Sequence, residues 1–221
     1  GVEAEMFPMA DVPLNHFDRG KPFYPLVVLY VAQVAGFKDL LVAGAPGVTK
    51  TVTLERVSSE DDMEFAEQQL QVLLGPLKLA SEVQDEPVEV PTDLIADELF
   101  ANRDYLMAWL TRAASGLLVL ANEVTREEPC RDYGPLWEFL RHCRNAAAHG
   151  GSFRFLGDEP RRPARWHHLE ISRDLEETNL FKDREGGGLL GPGDPIRLLW
   201  DLEQEYPDMR ADPGLVGLPT A

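Results

Sequence analysis

The sequence predicts a mainly α fold, a helical bundle with small β-hairpin additions. Three observations predict it. Apolar residues recur at helical spacing through the middle of the chain, longest from Thr92 to Glu127. Helix boundaries are marked by punctuation, with Pro135 opening one stretch and Gly150-Gly151 closing it. Short strand-like runs, bounded by Gly and Pro, lie outside the helical stretches.

A length of 221 residues fits one domain, or one domain with an appendage. The 44% apolar content suffices for a core without metal or disulfide. A formal net charge of −17 disfavours a general nucleic-acid coat, whose affinity would come from Lys and Arg. Cys130 and Cys143, the only cysteines, lack CxxC spacing and read as free thiols in a reducing compartment. The most apolar run, Leu26 to Ala35, falls short of the roughly 20 residues that span a bilayer. No basic, apolar leader is recognisable. The expectation is a cytoplasmic protein with no membrane partner. Gly1 to Glu5, ahead of Met6 and Met9, are set aside as appended residues.

Three regions are expected: an extended lead-in over 1–20, a hairpin-and-helix region over 21–90, and a helical core with a β/helix extension over 91–221. Pro25 suits the first turn of a helix reaching Gly36, with a strand as the alternative because of its β-branched content. Leu41-Val42 and the run Thr51 to Val57 flank a Gly/Pro turn and read as a hairpin. Ser58 or Ser59 caps a helix with an acidic first turn, carrying Met63, Leu70, Leu73 and Leu74 to the Gly75-Pro76 break. The acidic, Pro-containing stretch 83–91 reads as an exposed loop.

Thr92 then caps a long helix, with Leu99, Leu106, Leu110, Leu117 and Leu120 near a heptad beat and a candidate break at Asn102. A further helix runs from about Pro135 to the Gly150-Gly151 stop. Beyond it, Arg165 to Ser172 reads as a strand, with Asn179 to Lys182 as its candidate partner. Asp194-Pro195 opens a last helix.

The chemistry concentrates in RHCRNAAAHGG, Arg141 to Gly151. At about 100° per residue, His142, Asn145 and His149 share one stripe of the helix, and Arg141, Arg144 and Ala148 the next. The three alanines leave a small surface on which a second chain could approach closely. His149 falls in the last turn, where the helix dipole favours a cation. Histidine exchanges protons near neutrality, and an arginine can fork onto a phosphate. Arg, Asn and His without carboxylates or thiols suit phosphodiester chemistry without a metal or other cofactor. A 2′-hydroxyl needs a base, the phosphate needs positive charge, and the 5′-oxygen needs a proton on leaving. One copy of the motif is thin for all three tasks, which makes a second copy across a two-fold axis attractive.

The spacing Arg144-x4-His149, with Asn145 after the Arg, resembles the R-x4–6-H signature of HEPN domains. The resemblance is close over 136–151 and looser over 92–210, where a Trp166-bearing strand and Gly193-Asp194 before a helix also fit. It implies an HEPN-like bundle that dimerises so that two motifs face one cleft. It also implies a metal-independent endoribonuclease that leaves a 2′,3′-cyclic phosphate and a 5′-hydroxyl, acting in toxin–antitoxin or antiviral defence, where an antitoxin or another defence protein would be a partner. Arg144, Asn145 and His149 would be its catalytic residues. The alternative is a non-catalytic HEPN-like module for dimerisation or partner binding.

Arg141 and His142 adjoin the motif, and a locally basic segment follows it with Arg154, Arg161, Arg162, Arg165, His167 and His168. Arg141, His142, Arg154 and Arg165 are the candidate RNA contacts. Trp166 reads as a buried strand anchor, with base stacking as the second possibility. His167-His168 are not a metal pair, since neighbouring strand residues point to opposite faces. GAPGVTKT at Gly44 to Thr51 is not a phosphate loop: Thr49 stands where the pattern needs Gly, and a strand-like run follows.

Overall fold

Pro25 lies in the first turn of helix α1 (Tyr24–Gly44), where its missing N–H costs no hydrogen bond. In this computed structural model the residues described are 16–44, 77–80, 83, 86–90, 98–99, 101–128, 131, 134–183 and 185–210. The other elements are β1 (Leu77–Leu79), β2 (Val88–Val90), α2 (Arg103–Val124), α3 (Pro135–Ala148), β3 (Arg165–Trp166), β4 (Leu169–Glu170), a 3-10 turn at Arg173–Leu175, and α4 (Asp194–Glu205). Four α-helices against four short strands among the described residues make the fold mainly α.

The chain divides into two compact units, one of 1–34 with 108–221 and one of 35–107. This differs from the expected boundaries at 20 and 90. The start of α1 joins the C-terminal unit because Phe17, Phe23, Leu26, Val27 and Tyr30 are buried in its core. In the same unit the Tyr30 hydroxyl donates to the Pro192 carbonyl at 3.0 Å, and Lys21 Nζ donates to the Pro207 carbonyl.

That core is centred on α3, whose Leu136, Trp137, Phe139, Leu140, Cys143 and Ala146 all face inward. The helix packs on the β3–β4 hairpin and on α4. Phe139 meets Trp166 with ring centroids 5.8 Å apart, and Trp137 meets Tyr206 at 5.3 Å. Helix α4 supplies Leu198, Leu199 and Leu202. Helix α2 supplies Ala114, Leu117, Leu118 and Ala121, at alternating steps of three, one and three. Leu120 is half exposed rather than part of the leucine stripe expected from the heptad beat, because it lies about 100° round the helix from the buried Ala121.

Strand β1 pairs antiparallel with β2 in the smaller unit, Lys78 opposite Glu89. The stretch expected as a loop over 83–91 therefore ends in a strand: the β-branched alternation Val88-Glu89-Val90 wins over the acidic, proline-bearing context. The expected strand at Leu41-Val42 is also corrected, since both residues belong to α1. The helix that expectation ended at Gly36 continues to Gly44. The expected strand at 51–57, the helix from Ser58 or Ser59, the Gly75-Pro76 break, and the cap at Thr92 lie outside the described residues. The break at Asn102 is present. Its Oδ1 accepts from the Asp104 amide at 3.0 Å and so caps the start of α2.

The strand expected over 165–172 is instead a short hairpin, β3 and β4 turning back at His167-His168. His167 takes a positive φ of 50° there. Asn179 and Phe181 do not pair with this hairpin but bridge to Ser152 and Leu190. Among the described residues no helix is long and apolar enough to cross a membrane.

Candidate active site

Helix α3 carries the motif and is defined at both ends. Gly134 precedes it in extended conformation and Pro135 occupies the first turn. At the other end the Gly151 amide reaches back to the Ala146 carbonyl at 2.8 Å, while Gly150 adopts φ 94°. This six-to-one bond with a left-handed residue is a Schellman stop, favoured by glycine because no Cβ opposes the turn. His149 is the residue immediately before it, the C-cap, with its amide bonded to the Asn145 carbonyl at 3.1 Å. The Gly-Gly pair thus fixes where the helix stops and leaves His149 exposed beyond the core.

Arg144 and Asn145 lie one turn earlier. Arg144 Nη1 donates to Asn145 Oδ1 at 3.3 Å, and Nη2 donates to Glu123 Oε1 on α2 at 2.8 Å. Its Nε is buried without a hydrogen-bond partner. Three interactions with fixed geometry would hold a guanidinium better than two; the unpartnered Nε leaves one donor direction unused. Among the described residues the His149 side chain makes no hydrogen bond or ion pair. Glu123 is a member of the site that sequence reading missed. It lies 21 residues from Arg144, and no local spacing connects the two.

His142 does not share the exposure of His149, although both were expected on one stripe. It is 2% exposed, packed edge-on against Phe155 with ring centroids 5.5 Å apart. Burial, then the Arg141 charge, lowers its pKa, so it is held neutral. Its Nε2 lies 2.9 Å from Arg141 Nη2 and serves as the acceptor, since a guanidinium can only donate. A direct RNA contact by His142 would need this core to open. The periodicity of the helix identified the stripe, but α3 rises out of the core towards its C-terminus, so one stripe passes from buried to exposed.

Arg141 is likewise bound within the chain. Its Nε and Nη2 both donate to Glu138 Oε2, at 3.0 and 2.8 Å, and Nη1 donates to Glu159 Oε1 at 3.0 Å. Burial opposes the charge, but the hydrogen bonds and charges of Glu138 and Glu159 outweigh it and raise the Arg141 pKa. Arg165 is exposed and pairs with Glu170 across the β3–β4 hairpin at 3.0 Å. Arg154 is exposed and forms no ion pair among the described residues. It sits between the buried Phe153 and Phe155, directly after the Gly150-Gly151 stop. Of the seven candidates, the structure links Arg144 with Asn145 and Arg141 with His142. It links neither Arg154 nor Arg165 to either pair.

Trp166 is a buried anchor. Its Nε1 donates to Asp201 on α4 at 2.7 Å, and His167 Nε2 lies 2.8 Å from the same oxygen. Ala146 is 2% exposed and belongs to the core, which corrects the expectation that Ala146, Ala147 and Ala148 form one small outer surface; only Ala148 is fully outward. Cys143 is buried, and desolvation pushes its thiol far up, so it is no nucleophile in the folded chain. Cys130 lies outside the described residues. Among the described residues no group of three or more His, Cys, Asp or Glu is placed to hold a metal ion.

Comparison with known proteins finds no match: no family model, curated protein or solved structure is similar to the chain.

Proposed function

We propose that the chain is a metal-independent endoribonuclease, an HEPN-like protein that completes its site by pairing two copies of α3 in a homodimer. The observation that supports this reading is the end of α3. An exposed histidine stands at a glycine-fixed helix terminus, one turn beyond an arginine whose guanidinium is already oriented by an asparagine and a carboxylate. In the proposed reaction a base removes the proton of the substrate 2′-hydroxyl, and that oxygen attacks phosphorus. The P–O5′ bond breaks, and an acid returns a proton to the 5′-oxygen. His149 of one copy serves as base or acid, Arg144 stabilises charge on the non-bridging oxygens, and Asn145 positions Arg144 or the phosphate. A cellular role in toxin–antitoxin or antiviral defence, with an antitoxin or another defence protein as partner, follows from the family resemblance.

The pairing of Arg144 with Glu123 supports a second reading, since a phosphate must displace or share that carboxylate. On that reading the chain is a non-catalytic HEPN-like dimerisation or partner-binding module.

Cleavage of a labelled RNA in the presence of EDTA separates the two. The nuclease reading expects RNA to be cut to a 2′,3′-cyclic phosphate end, an all-DNA strand to survive, and a 2′-O-methyl at the scissile nucleotide to block cutting. His149→Ala should slow cleavage by roughly 10²–10⁴-fold, the span of one acid–base group. Cleavage as fast in His149→Ala as in the unaltered chain, or equal cutting of DNA, overturns it.

A further inference from the structure

A polar pocket of about 310 Å³ lies beside α3, lined by Glu138, Arg141, Glu159, Arg161 and Arg162. At the lower end of the ligand-pocket range, that volume suits one nucleobase rather than a longer segment. Its floor is built rather than incidental. Glu138 is 4% exposed, yet among the described residues only one of its carboxylate oxygens accepts a hydrogen bond, Oε2 from Arg141. Among the described residues Oε1 accepts no hydrogen bond and forms only a loose ion pair, 3.8 Å from Arg162 Nη1. Glu159 is arranged similarly, with Oε1 bonded to Arg141 Nη1 and Oε2 accepting no hydrogen bond among the described residues. The pocket therefore offers, among the described residues, two carboxylate oxygens that accept no hydrogen bond, close to guanidinium groups. Arg161, exposed at its rim, is paired with Asp158 at 2.6 Å.

That inventory selects among ligands. A bare phosphate would meet two carboxylates and be repelled. A simple cation would meet three guanidiniums. The occupant must bring adjacent N–H donors for the carboxylates together with acceptors for arginine. Among the four bases only guanine presents two neighbouring donors, N1–H and N2–H, on one edge, with O6 and N7 as acceptors on the next. Adenine and cytosine bring one amino donor beside a ring acceptor, and uracil brings one donor between two carbonyls.

We propose that this pocket is a guanine subsite, in which Glu138 and Glu159 accept from the Watson–Crick edge and Arg162 and Arg161 contact O6, N7 or the adjoining phosphate. The proposal deepens the ribonuclease reading and rests on it for the claim that the base belongs to an RNA strand. Glu138 and His149 are eleven residues apart on nearly the same stripe of α3, which sets the pocket about 16 Å along the helix from His149. A base held there would fix the strand's register from a few nucleotides beyond the scissile bond, with Arg141 acting as a positioning residue between the two carboxylates.

The test is binding of 5′-mononucleotides to the full chain by titration calorimetry, with inorganic phosphate as a further ligand. GMP is expected to saturate, with AMP, CMP and UMP at least ten-fold weaker, because a site built for donors leaves its acceptors unpaired against bases that lack them. IMP, which lacks only the 2-amino group, is expected between GMP and AMP. Glu159→Gln is expected to abolish the preference for GMP, and Arg162→Ala to weaken GMP several-fold. The ligand series on the unaltered chain decides the matter even if Glu138→Gln does not fold. Equal affinity for all four bases, no saturable binding of GMP, or phosphate binding as tightly as GMP would overturn the subsite. None of these titrations depends on cleavage. GMP preference in a protein that cuts no RNA refutes the nuclease and leaves the pocket; cleavage without GMP preference refutes the pocket alone.

Discussion

Glu203, near the end of α4, is 4% exposed, and its Oε1 has no hydrogen-bond partner. The nearby backbone of Asp18 and Phe23 and the charge of Lys21 favour its ionised form, and the charge of Asp18 opposes it. Burial dominates and pushes the carboxyl up to about 7. In the unfolded chain a glutamate titrates near roughly 4.3. Between those values the folded chain holds a proton that the unfolded chain has released. Stability from this group is therefore complete below about pH 4.3 and is lost as pH rises to about 7. At about 1.4 kcal/mol per pKa unit, the loss is on the order of 3–4 kcal/mol. Glu203→Gln is neutral at every pH and keeps an oxygen at the same place, so it should escape the loss. Urea unfolding of both proteins at half-unit steps from pH 4.5 to 8.5 isolates the effect, because titrating groups not coupled to Glu203 cancel in the difference. The variant's relative stability should rise by about 3 kcal/mol across the range and level off above pH 7.5, a melting difference of roughly 6–12 °C for a chain of this size. A difference between the two proteins that is constant with pH refutes the reasoning.

Two other substitutions test the fold and the site. Gly188 has φ 116°, and a Cβ there would lie 2.4 Å from the Phe181 carbonyl oxygen, which is backbone and cannot swing away. Gly188→Ala should lower stability by roughly 2–4 kcal/mol, measured by denaturant unfolding, with the strain and the overlap both contributing. Glu123→Gln removes the carboxylate that holds Arg144. On the ribonuclease reading it should tighten binding of a non-cleavable 2′-O-methyl RNA a few-fold at low salt and steepen its salt dependence, as a freed guanidinium would; unchanged affinity would separate Arg144 from the RNA.

The helices were legible where their ends are chemically marked. Pro135 and Gly150-Gly151 bracket α3, Asp194-Pro195 opens α4, and Asn102 caps α2, each by supplying or sparing a hydrogen bond at a terminus. Leu41 and Val42 misled because β-branched and apolar residues are equally at home in a strand and in a helix that is apolar on all sides, as α1 is over Leu26 to Ala35. Val88 to Val90 misled in the other direction, since three residues of alternation are too few to outweigh an acidic, proline-bearing setting. In the site, the sequence shows the adjacency of Arg144 and Asn145 and the position of His149 at the helix end. It does not show which stripe of α3 faces the core, and that decides the fate of His142 and Ala146. The contacts that tune the arginines, Glu123 for Arg144 and Glu159 for Arg141, come from other segments and leave no local periodicity to read.

Tyr30 bonds to the Pro192 carbonyl across 162 residues, and Lys21 to that of Pro207 across 186. These contacts close the larger unit with its two most distant segments, and that has a kinetic consequence. A ribosome adding about 5–20 residues per second releases Phe23, Leu26 and Val27 many seconds before Leu198 and Leu202 exist to cover them. That apolar segment must wait, exposed or chaperoned, until Leu198 and Leu202 have been made. Folding of this unit therefore has a slow step set by closing the long loop rather than by forming any helix.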